Sequence, residues 1–563
     1  MRRLRLMAFL CVLLASAAAR AQQISQLLPL VDGRYTIQTV NFAGRDWRLD
    51  DFSYAGYYLG ARNLGDVPSR EFPVNATGDI TIAVQDAINA AGAADGGIVR
   101  IPAGTFAMSA SVEIPFNNIS IEGAGSSQTI INIPGSYRPA DIRYEGVFTF
   151  GRRIGESRVE GWLDRGPIVT GVSTVVNRGD MTVNAADASG VNVGDWIVLQ
   201  QYFWQALVDN NSDFPNHWVP DGSRTFSFSY LRQITGISGN VISMDAPVPW
   251  TLDPANNPVN IRLTDGQMKE NAGIRGLTFN FADNIDERTG RPSGAPVYFE
   301  GVRNGWASDI RANNIPRFGL YTQTAARITF LDCVVTGAQD YGGDGYGYGY
   351  HIYGSQNVLL RRCRGEDTRH NFTSQRAITS LLVMSRCTSV NATQPDDTHH
   401  SFEHAILWDK FTQLQGNSIY ALNRGNLSTG AYETLGSGVL WNFNGDGGRG
   451  RLSHGGEVHV KPSPDGWGLV LGVTGAHSVW DNTVPISPWT PGDRMPPNPG
   501  LQVGPDPGAL QNVLYENLFG DPLAPESLYE GLLAARGLSP AEFRADSCVN
   551  GCNTADRPHG HRN

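Results

Sequence analysis

The sequence predicts an all-β protein whose short strands are wound into a solenoid. Apolar segments of roughly five residues recur from Ile274 onward at intervals of about 20 to 30 residues, the period expected of a coil with two or three strands. Glycine is frequent, with 65 of 563 residues, whereas its usual share is about 7%. Because a solenoid is one continuous structure, a chain of this length does not have to divide into several globular domains.

The repeating strands indicate where the coils lie. They are Ile274 to Phe281, Ala307 to Ala312, Ile328 to Val335, Val358 to Cys363, Leu381 to Val390 and Ser418 to Leu422. Cys333, Cys363 and Cys387 each follow a short apolar strand, and buried cysteine behaves as a small apolar residue. We therefore predict that these cysteines stack as an internal ladder. A metal site is the alternative, but no CxxC spacing supports it.

The start of the solenoid carries a family resemblance. Thr81 to Ala91 has the apolar periodicity of a helix, and Gly96 to Phe106 has the pattern of strand, Pro-x-Gly turn and strand. This order resembles the N-terminal cap of the pectate-lyase-like superfamily, in which an amphipathic helix covers the open end of the first coil. The resemblance implies a right-handed, single-stranded parallel β-helix. The chain departs from its relatives at Asp79-Ile80-Thr81, where they usually carry Asp-Asp-Thr, so we expect an altered capping turn.

A region in the first half interrupts the solenoid rhythm. Its strands have an antiparallel pattern, and Gly239-Asn240 is a hairpin signal between Ile237 and Val241. We predict an inserted small β-module here. The expected organisation is a signal peptide (1–21), an N-terminal lead-in (22–73), the start of the β-helix with its capping helix (74–168), the inserted module (169–254), the main β-helix with the active face (255–484), and a C-terminal wrap with a short helix and tail (485–563).

The chain begins with the pattern of a secretory signal. The basic start Arg2 to Arg5 precedes the apolar run Leu6 to Leu14 and a small-residue cleavage site at Ala19-Arg20-Ala21. We expect a secreted or periplasmic protein with no membrane span, and export would allow a disulfide between Cys548 and Cys552. The net charge of −10 at pH 7 argues against nucleic acid or an anionic membrane as the partner.

The stretch from Gly345 to Asn442 holds the densest set of histidine, arginine and aromatic residues in strand-and-turn spacing. Outward side chains on successive coils of a β-helix stack about 4.8 Å apart, so residues far apart in sequence become neighbours. A basic groove on an acidic protein suits an anionic polysaccharide such as a polyuronate. The predicted catalytic residues are Arg369, His370, His400, His404, Arg424, Lys410 and Lys461.

These residue types suit β-elimination. A lyase needs a cation for the substrate carboxylate, a base for the proton beside it, and an acid for the leaving oxygen. We expect His370 or His404 to be the base and Arg369 or Arg424 to hold the carboxylate through paired hydrogen bonds. Either lysine of the set could take one of these roles.

A Gly-Tyr repeat precedes the basic coils. Gly347-Tyr348-Gly349-Tyr350, followed by a strand and then Arg369-His370, is similar to an arrangement in many secreted pectate-lyase-like proteins. Tyrosine and tryptophan rings can stack on sugar rings, although core packing is the stronger interpretation for Trp441. The predicted substrate-binding residues are Tyr346, Tyr348, Tyr350, Arg362, Trp408 and Trp441.

Calcium often supplies the cation in this superfamily, so the resemblance makes acidic residues candidate ligands. They are Asp340, Asp344, Asp396 and Asp397. No spacing among them is diagnostic, so we predict no required cofactor and no committed metal ligand, with Ca²⁺ left open.

Two other functions stay open. A glycoside hydrolase on the same scaffold would use paired carboxylates. The candidates for that role are Asp396, Asp397, Glu403 and Asp409. A non-catalytic glycan-binding or adhesin-like protein would keep the aromatic residues and need no base.

Overall fold

A computed structural model confirms the predicted right-handed parallel β-helix. The structure describes residues 23–42, 44–141, 145–151, 166–204, 206–207, 227–264, 266–343, 345–376, 378–399, 402–415, 419–422, 435–445, 457–461, 467–472, 474–475, 478–480, 498–503, 513–518 and 522–542. Two parallel sheets, of 21 and 10 strands, run the length of the solenoid. Within the described ranges, no helix is long and apolar enough to cross a membrane.

Three rows of stacked strands form the faces of the solenoid, and the larger sheet contains two of them. Row 1 consists of Glu71–Pro73, Gly97–Arg100, Ile119–Glu122, Ala326–Leu331, Gln356–Arg361, Ser380–Ser385, His404–Asp409, Ser437–Trp441, Trp467–Leu471 and Val513–Leu518. Row 2 consists of Gly104–Ala107, Thr129–Ile133, Val334–Ala338, Arg364–Glu366, Thr388–Val390, Thr412–Leu414, Asn444–Gly445 and Thr474–Gly475. Lys269–Phe281 and Val302–Ile315 run through both rows. Asn498–Val503 joins the end of the sheet antiparallel to its last strand.

Row 3 is the separate 10-stranded sheet. Its strands are Val112–Ile114, Phe148–Phe150, Val297–Glu300, Phe318–Gln323, Tyr348–Tyr353, His370–Gln375, Asp396–Thr398, Ile419–Leu422, Glu457–Lys461 and Ser478–Trp480. Each coil of the central region visits row 3, then row 1, then row 2. The side chains that alternate inward from all three rows form one continuous apolar core along the solenoid axis.

The corner between rows 1 and 2 repeats in the same form on successive coils. The corner residue has a left-handed backbone, as in Arg362 with φ 52° and Lys410 with φ 53°. The next residue points into the core, and the cysteines occupy this position on three coils. The Sγ of Cys363 lies 3.4 Å from the carbonyl oxygen of Phe330 on the previous coil, and the three thiols are buried and free. The predicted cysteine ladder is therefore confirmed.

The helix at the start of the solenoid spans Thr81–Ala93 and buries Val84, Ile88 and Ala91 against the first coils. Its first amide, on Thr81, donates to the Asp79 carboxylate at 2.9 Å. The residue at the N-cap position is Ile80, and it contributes no side-chain hydrogen bond.

The inserted β-module is a six-stranded antiparallel sheet with its own apolar core. Its strands are Ile168–Gly171, Thr182–Asn184, Trp196–Tyr202, Ser227–Ser238, Val241–Met244 and Val259–Leu263. Ser238 pairs with Val241 across the predicted Gly239-Asn240 turn, so that hairpin is confirmed.

Two terminal segments cover the outer face of row 1. The lead-in contributes three short strand pairings and two 3₁₀ turns, and the C-terminal segment contributes a helix at Leu528–Ala535 that Ser527 caps. The lead-in elements are Gln23–Ile24, which pairs with Leu523–Ala524, then Leu30–Val31, Arg34–Tyr35, Val40–Phe42, Arg45–Trp47, Phe52–Tyr54 and Tyr57–Gly60. Their apolar residues join outward residues of row 1, such as Leu359 and Leu407, in a second large cluster. Row 1 is thus a packing face.

Candidate functional site

The outer face of row 3 carries columns of polar and aromatic side chains. Strand pairing stacks Phe318, Tyr348 and His370 in one column. A neighbouring column contains Tyr298, Tyr321, His351, Thr373 and Asp397. Between the two columns, Leu320, Tyr350 and Phe372 of the same strands point into the core. Adjacent coils therefore bring histidine, tyrosine and carboxylate groups together.

Four side chains make a hydrogen-bonded line across this face. His399 Nδ1 lies 3.1 Å from Asp397 Oδ2, and His399 Nε2 lies 3.4 Å from the Tyr348 hydroxyl. Arg369 Nη1 donates to the same hydroxyl at 3.3 Å. If Asp397 holds the proton on Nδ1 of His399, Nε2 is the acceptor that faces the phenol. The arrangement places a base and a cation on opposite sides of one tyrosine hydroxyl.

His370 lies beside this line and is only 1% exposed. Its Nδ1 is 2.6 Å from the carbonyl oxygen of Pro395 and 3.5 Å from Asp397 Oδ1, so Nδ1 is the nitrogen that donates. Burial lowers the pKa of His370 to about 3, and the opposing effect of Asp397 is smaller. The ring is therefore neutral near pH 7. Its buried Nε2 has no hydrogen-bond partner among the described residues.

His370, Asp397 and His399 could also hold a metal ion. One potential ligand atom from each lies within 4.8 Å of the other two. Two imidazoles and a carboxylate suit Zn²⁺ or another transition metal better than Ca²⁺, which prefers oxygen ligands.

The acidic residues predicted as calcium ligands do not form such a group in the part of the chain that is described. Asp340 pairs with Arg291 at 2.6 Å, and Asp396 accepts from the Phe372 amide at 2.9 Å beneath the sheet. Asp344 lies outside the described residues.

An aromatic stack continues from the site toward the N-terminal coils. His351 stacks on Tyr321 with ring centres 5.0 Å apart, and Tyr321 stacks on Tyr298 at 4.8 Å. Beside this stack, Tyr346 lies between two guanidinium groups, with Arg291 at 3.6 Å and Arg317 at 4.3 Å from its ring centre. The face therefore combines aromatic rings with cations along one edge of row 3.

Two predicted sugar-binding residues point into the core instead. The Tyr350 hydroxyl donates to the carbonyl oxygen of Cys333 at 2.8 Å, and its ring stacks on Phe372 inside the solenoid. Trp408 belongs to the same core. Neither ring lies on the outer surface, because each alternates inward from its strand. The prediction of sugar contact at these positions is corrected accordingly.

Three further predicted residues lie on the side that the C-terminal segment covers. Lys410 Nζ pairs with Glu526 at 2.5 Å, and Arg362 bridges Asp332 and Glu542. The Trp441 indole donates to the carbonyl oxygen of Pro525 at 2.9 Å, in keeping with a packing role. The structure thus places Lys410, Arg362 and Trp441 away from row 3.

His404 joins the inserted module to the β-helix. Its Nε2 lies 2.8 Å from the Tyr230 hydroxyl, and Phe228 and Trp250 of the module pack edge-on to its ring. The side chain is fully buried, and this burial lowers its pKa to about 4. No described residue of the row 3 site contacts His404, so the structure gives it a packing position in place of the predicted catalytic one.

The carboxylates proposed for hydrolysis do not share one face. Asp396 points inward while its neighbour Asp397 points outward, and burial raises the pKa of Asp396 to about 7. Asp409 accepts from the amide of Leu528 at 2.7 Å under the C-terminal segment. Glu403 is buried and accepts from the Ser374 hydroxyl.

The remaining predicted residues cannot be placed in the site. His400, Arg424, Cys548 and Cys552 lie outside the described residues. Lys461 ends the row 3 strand Glu457–Lys461, where its backbone pairs with Leu422.

Of the two adjacent histidines, sequence reasoning selected His400, whereas the structure shows His399 in the site. The signal for His399 was present, because it directly follows the strand Asp396–Thr398, and residues two apart in an extended chain share a face. Tyr321 and His351 gave no comparable signal, since they approach the site only through the register of successive coils.

Comparisons with known proteins give only distant structural matches. No family model and no curated sequence matches the chain. A tailspike of an Acinetobacter baumannii bacteriophage, solved with a capsular saccharide, is 12% identical with a TM-score of 0.36, over 72% of this chain and 68% of that one. An exopolygalacturonase from Thermotoga maritima is 10% identical with a TM-score of 0.36, over 75% and 90% of the chains. The catalytic domain of a GH87 alpha-1,3-glucanase is 11% identical with a TM-score of 0.39, over 74% and 54%. Similarity at this level assigns neither a reaction nor a site residue to this chain.

Proposed function

We propose that this protein is an exported enzyme that cleaves a uronate-containing polysaccharide by β-elimination on the outer face of row 3. One observation supports the proposal above the others. The Tyr348 hydroxyl lies between the Arg369 guanidinium and the His399 imidazole, and Asp397 orients that imidazole. Proton abstraction next to a carboxylate requires a base and a cation that neutralises the carboxylate. A hydroxyl activated by a neighbouring base, beside an arginine, supplies both.

The proposed reaction begins with transfer of the phenolic proton of Tyr348 to His399. Asp397 stabilises the imidazolium that forms, and Arg369 stabilises the phenolate and the substrate carboxylate. The phenolate then takes the proton from the sugar carbon that bears the carboxylate. Electrons from that carbon–hydrogen bond form a carbon–carbon double bond as the adjacent carbon–oxygen bond breaks. The leaving oxygen receives the proton held by His399.

The rest of the face supports a linear sugar polymer as the substrate. The column of Tyr298, Tyr321 and His351 extends along the solenoid axis for three coils. These rings stack on one another and are at most 3% exposed, so they shape the face and leave direct sugar contact to groups at its edge. Arg317 lies at the edge of the same face and can neutralise a carboxylate of a further unit.

The grouping of His370, Asp397 and His399 favours a second version of the same chemistry. A transition metal held by these residues would supply the charge that neutralises the substrate carboxylate. In this version the metal would bind His370 Nε2, a buried nitrogen that has no hydrogen-bond partner among the described residues.

The test is to assay the purified protein on acidic and neutral polysaccharides, following ultraviolet absorbance and new reducing ends in parallel. We expect both signals on an acidic polysaccharide, because elimination leaves an unsaturated uronate at each new end. Reducing ends without absorbance would contradict elimination and favour hydrolysis. Binding without either signal would favour the adhesin-like alternative. Loss of both signals in EDTA, with recovery on Zn²⁺ or Mn²⁺, would favour the metal-assisted version, and recovery on Ca²⁺ alone would argue against these ligands.

A further inference from the structure

A cavity of about 280 Å³ lies over the outer face of row 1, where four segments meet. The lead-in contributes Arg48, Asp50 and Tyr54 to its wall, the inserted module contributes Arg178, and the C-terminal helix contributes Leu532. Leu381 of row 1 forms part of the floor. The size is close to the lower end of ordinary small-molecule sites, which begin near about 300 Å³.

Most of the charge in this wall is already paired within the protein. Arg178 donates to Asp50 Oδ1 at 2.6 Å and lies 3.7 Å from the ring centre of Trp467. Arg536 donates to the carbonyl oxygen of Ser53 at 2.7 Å and lies over the Tyr54 ring at 3.8 Å. These arginines therefore act mainly in joining the segments.

Two side chains of the wall carry a polar group without a hydrogen-bond partner among the described residues. Asp50 is 4% exposed, and its Oδ2 has no hydrogen-bond partner among the described residues. The half-buried Arg48 guanidinium makes no ion pair or hydrogen bond to any described residue. It lies flat over Gly179, 3.1 Å from the point that a Cβ there would occupy. A buried acceptor without a donor is costly, so a ligand that donates to Oδ2 would gain from supplying that donor.

We propose that this cavity binds a small hydroxylated carboxylate of the size of one sugar acid. The ligand carboxylate pairs with Arg48, and a ligand hydroxyl donates to Oδ2 of Asp50 once that buried carboxylate turns toward the cavity. Tyr54 and Leu532 supply apolar walls for the carbon skeleton. The site is separate from the row 3 columns, and the proposal does not rest on the reaction assigned to them.

The small volume of the cavity, about 280 Å³, favours a free sugar acid over several units of a polymer. The lead-in, the inserted module and the C-terminal helix all contribute to its wall. Ligand binding would also hold these segments together. Because a ligand stabilises the folded state by RT ln(1 + [L]/Kd), occupancy is measurable as a rise in Tm.

The experiment measures Tm and calorimetric binding of galacturonate, glucuronate and glucose at fixed ionic strength. We expect a concentration-dependent rise in Tm with one or both sugar acids and at least about tenfold weaker binding of glucose, since one charge-assisted bond contributes about 1.5 kcal/mol or more. Equal binding of glucose, or no binding of either acid, overturns the proposal. Tighter binding of an acidic oligosaccharide than of its monomer overturns the assignment to free sugar acids.

Arg48→Ala and Arg48→Gln are the test variants, and Arg34→Ala is the matched control on an exposed arginine of the same lead-in. We expect at least about tenfold weaker acid binding in both Arg48 variants and unchanged binding in the control. The Tm without ligand shows whether each variant is folded, and Arg48→Gln keeps a long polar side chain if Arg48→Ala is unstable. Unchanged affinity in a folded Arg48 variant contradicts the proposal. Tyr348→Phe should bind sugar acid normally, so failure of the row 3 reaction and failure of this site are distinguishable.

Discussion

The outer faces of row 3 and row 1 carry similar residue types, but those residues have different partners. On row 1, His404 bonds to Tyr230 of the inserted module, and Trp441 bonds to the backbone of the C-terminal segment. On row 3, the Tyr348 hydroxyl bonds to Arg369 of the next coil and to His399 two coils away on the same face.

The difference shows what decides whether a histidine or arginine of a β-helix can act in chemistry. Where another segment crosses a face, it supplies a partner and the residue becomes part of the packing. Where polar residues of successive coils stack on one another, they form a row of polar groups that a substrate can contact. Lys410 and Arg369 illustrate the contrast, since Lys410 pairs with Glu526 of the C-terminal segment and Arg369 contacts Tyr348.

Tyr348→Phe should have the largest effect and would test the row 3 half of the comparison. Loss of the hydroxyl removes the proposed acid–base group, so we expect kcat to fall by about 10²- to 10⁴-fold with little change in Tm. Initial rates from ultraviolet absorbance on the best polysaccharide measure this. Tyr58→Phe, in the lead-in, is the matched control and should keep full activity. A Tyr348→Phe enzyme with more than half of the normal kcat would eliminate the phenol as the reacting group.

His404→Gln tests the row 1 half of the comparison through the pH dependence of the unfolding free energy. The folded-state pKa of His404 is about 4, below its ordinary value of 6.5, so the unfolded chain binds this proton more readily than the folded one. The stabilisation is present above about pH 6.5 and is lost as pH falls toward about 4, by up to about 3 kcal/mol. Glutamine can hydrogen-bond to Tyr230 but does not titrate.

The measurement is the difference in unfolding free energy between wild type and His404→Gln, from urea denaturation between pH 7 and pH 4. Taking this difference cancels shared groups such as Asp396, whose raised pKa of about 7 acts in the opposite direction. We expect wild type to lose stability relative to the variant as pH falls. A difference that stays constant over this range would contradict the buried, neutral state of His404.

The sequence was enough to predict the solenoid because its signals are local and repeated. Strand spacing, the cysteine ladder and the Gly239-Asn240 hairpin each depend on a few neighbouring residues. Tyr348, as a substrate-binding residue, and the pair Arg369-His370 were also predicted, because the Gly-Tyr repeat followed by Arg-His is similar to an arrangement in pectate-lyase-like proteins.

The rest of the site depends on information that one sequence does not hold. Whether His404 meets solvent or a module depends on how residues far away in the chain fold back, here Tyr230. Its neighbour Ala405 has a left-handed φ of 54°, which also disturbs the strict alternation that sequence reasoning uses. Tyr350 and Trp408 were assigned outward because their strands were known but their register was not.

Arg369→Gln should reduce activity less than Tyr348→Phe does. It tests whether the row 3 cation binds the substrate carboxylate. Glutamine keeps a hydrogen-bond donor near Tyr348 but loses the charge that is proposed to hold the substrate carboxylate. We expect kcat/KM to fall by about 10- to 100-fold, the equivalent of one charge-assisted hydrogen bond. A matched control is Arg311→Gln, on the polar face of row 2. A fall confined to kcat with KM unchanged would contradict substrate binding by Arg369.

Lys410→Ala should have the smallest effect on stability and activity. It tests whether the cation at this corner only helps to hold the C-terminal segment in place. The side chain of Lys410 is 31% exposed and that of Glu526 is 55% exposed, so solvent and salt screen the pair. Exposed ion pairs contribute about 0 to 1 kcal/mol, and we expect a loss of unfolding free energy within that range. A double-mutant cycle with Glu526→Gln isolates the contribution of the pair.

Activity per folded molecule of Lys410→Ala should be unchanged, since Lys410 lies at the corner between rows 1 and 2, under the C-terminal segment. A tenfold fall in kcat in folded Lys410→Ala would instead place this corner in the chemistry and remove the distinction drawn between the two faces.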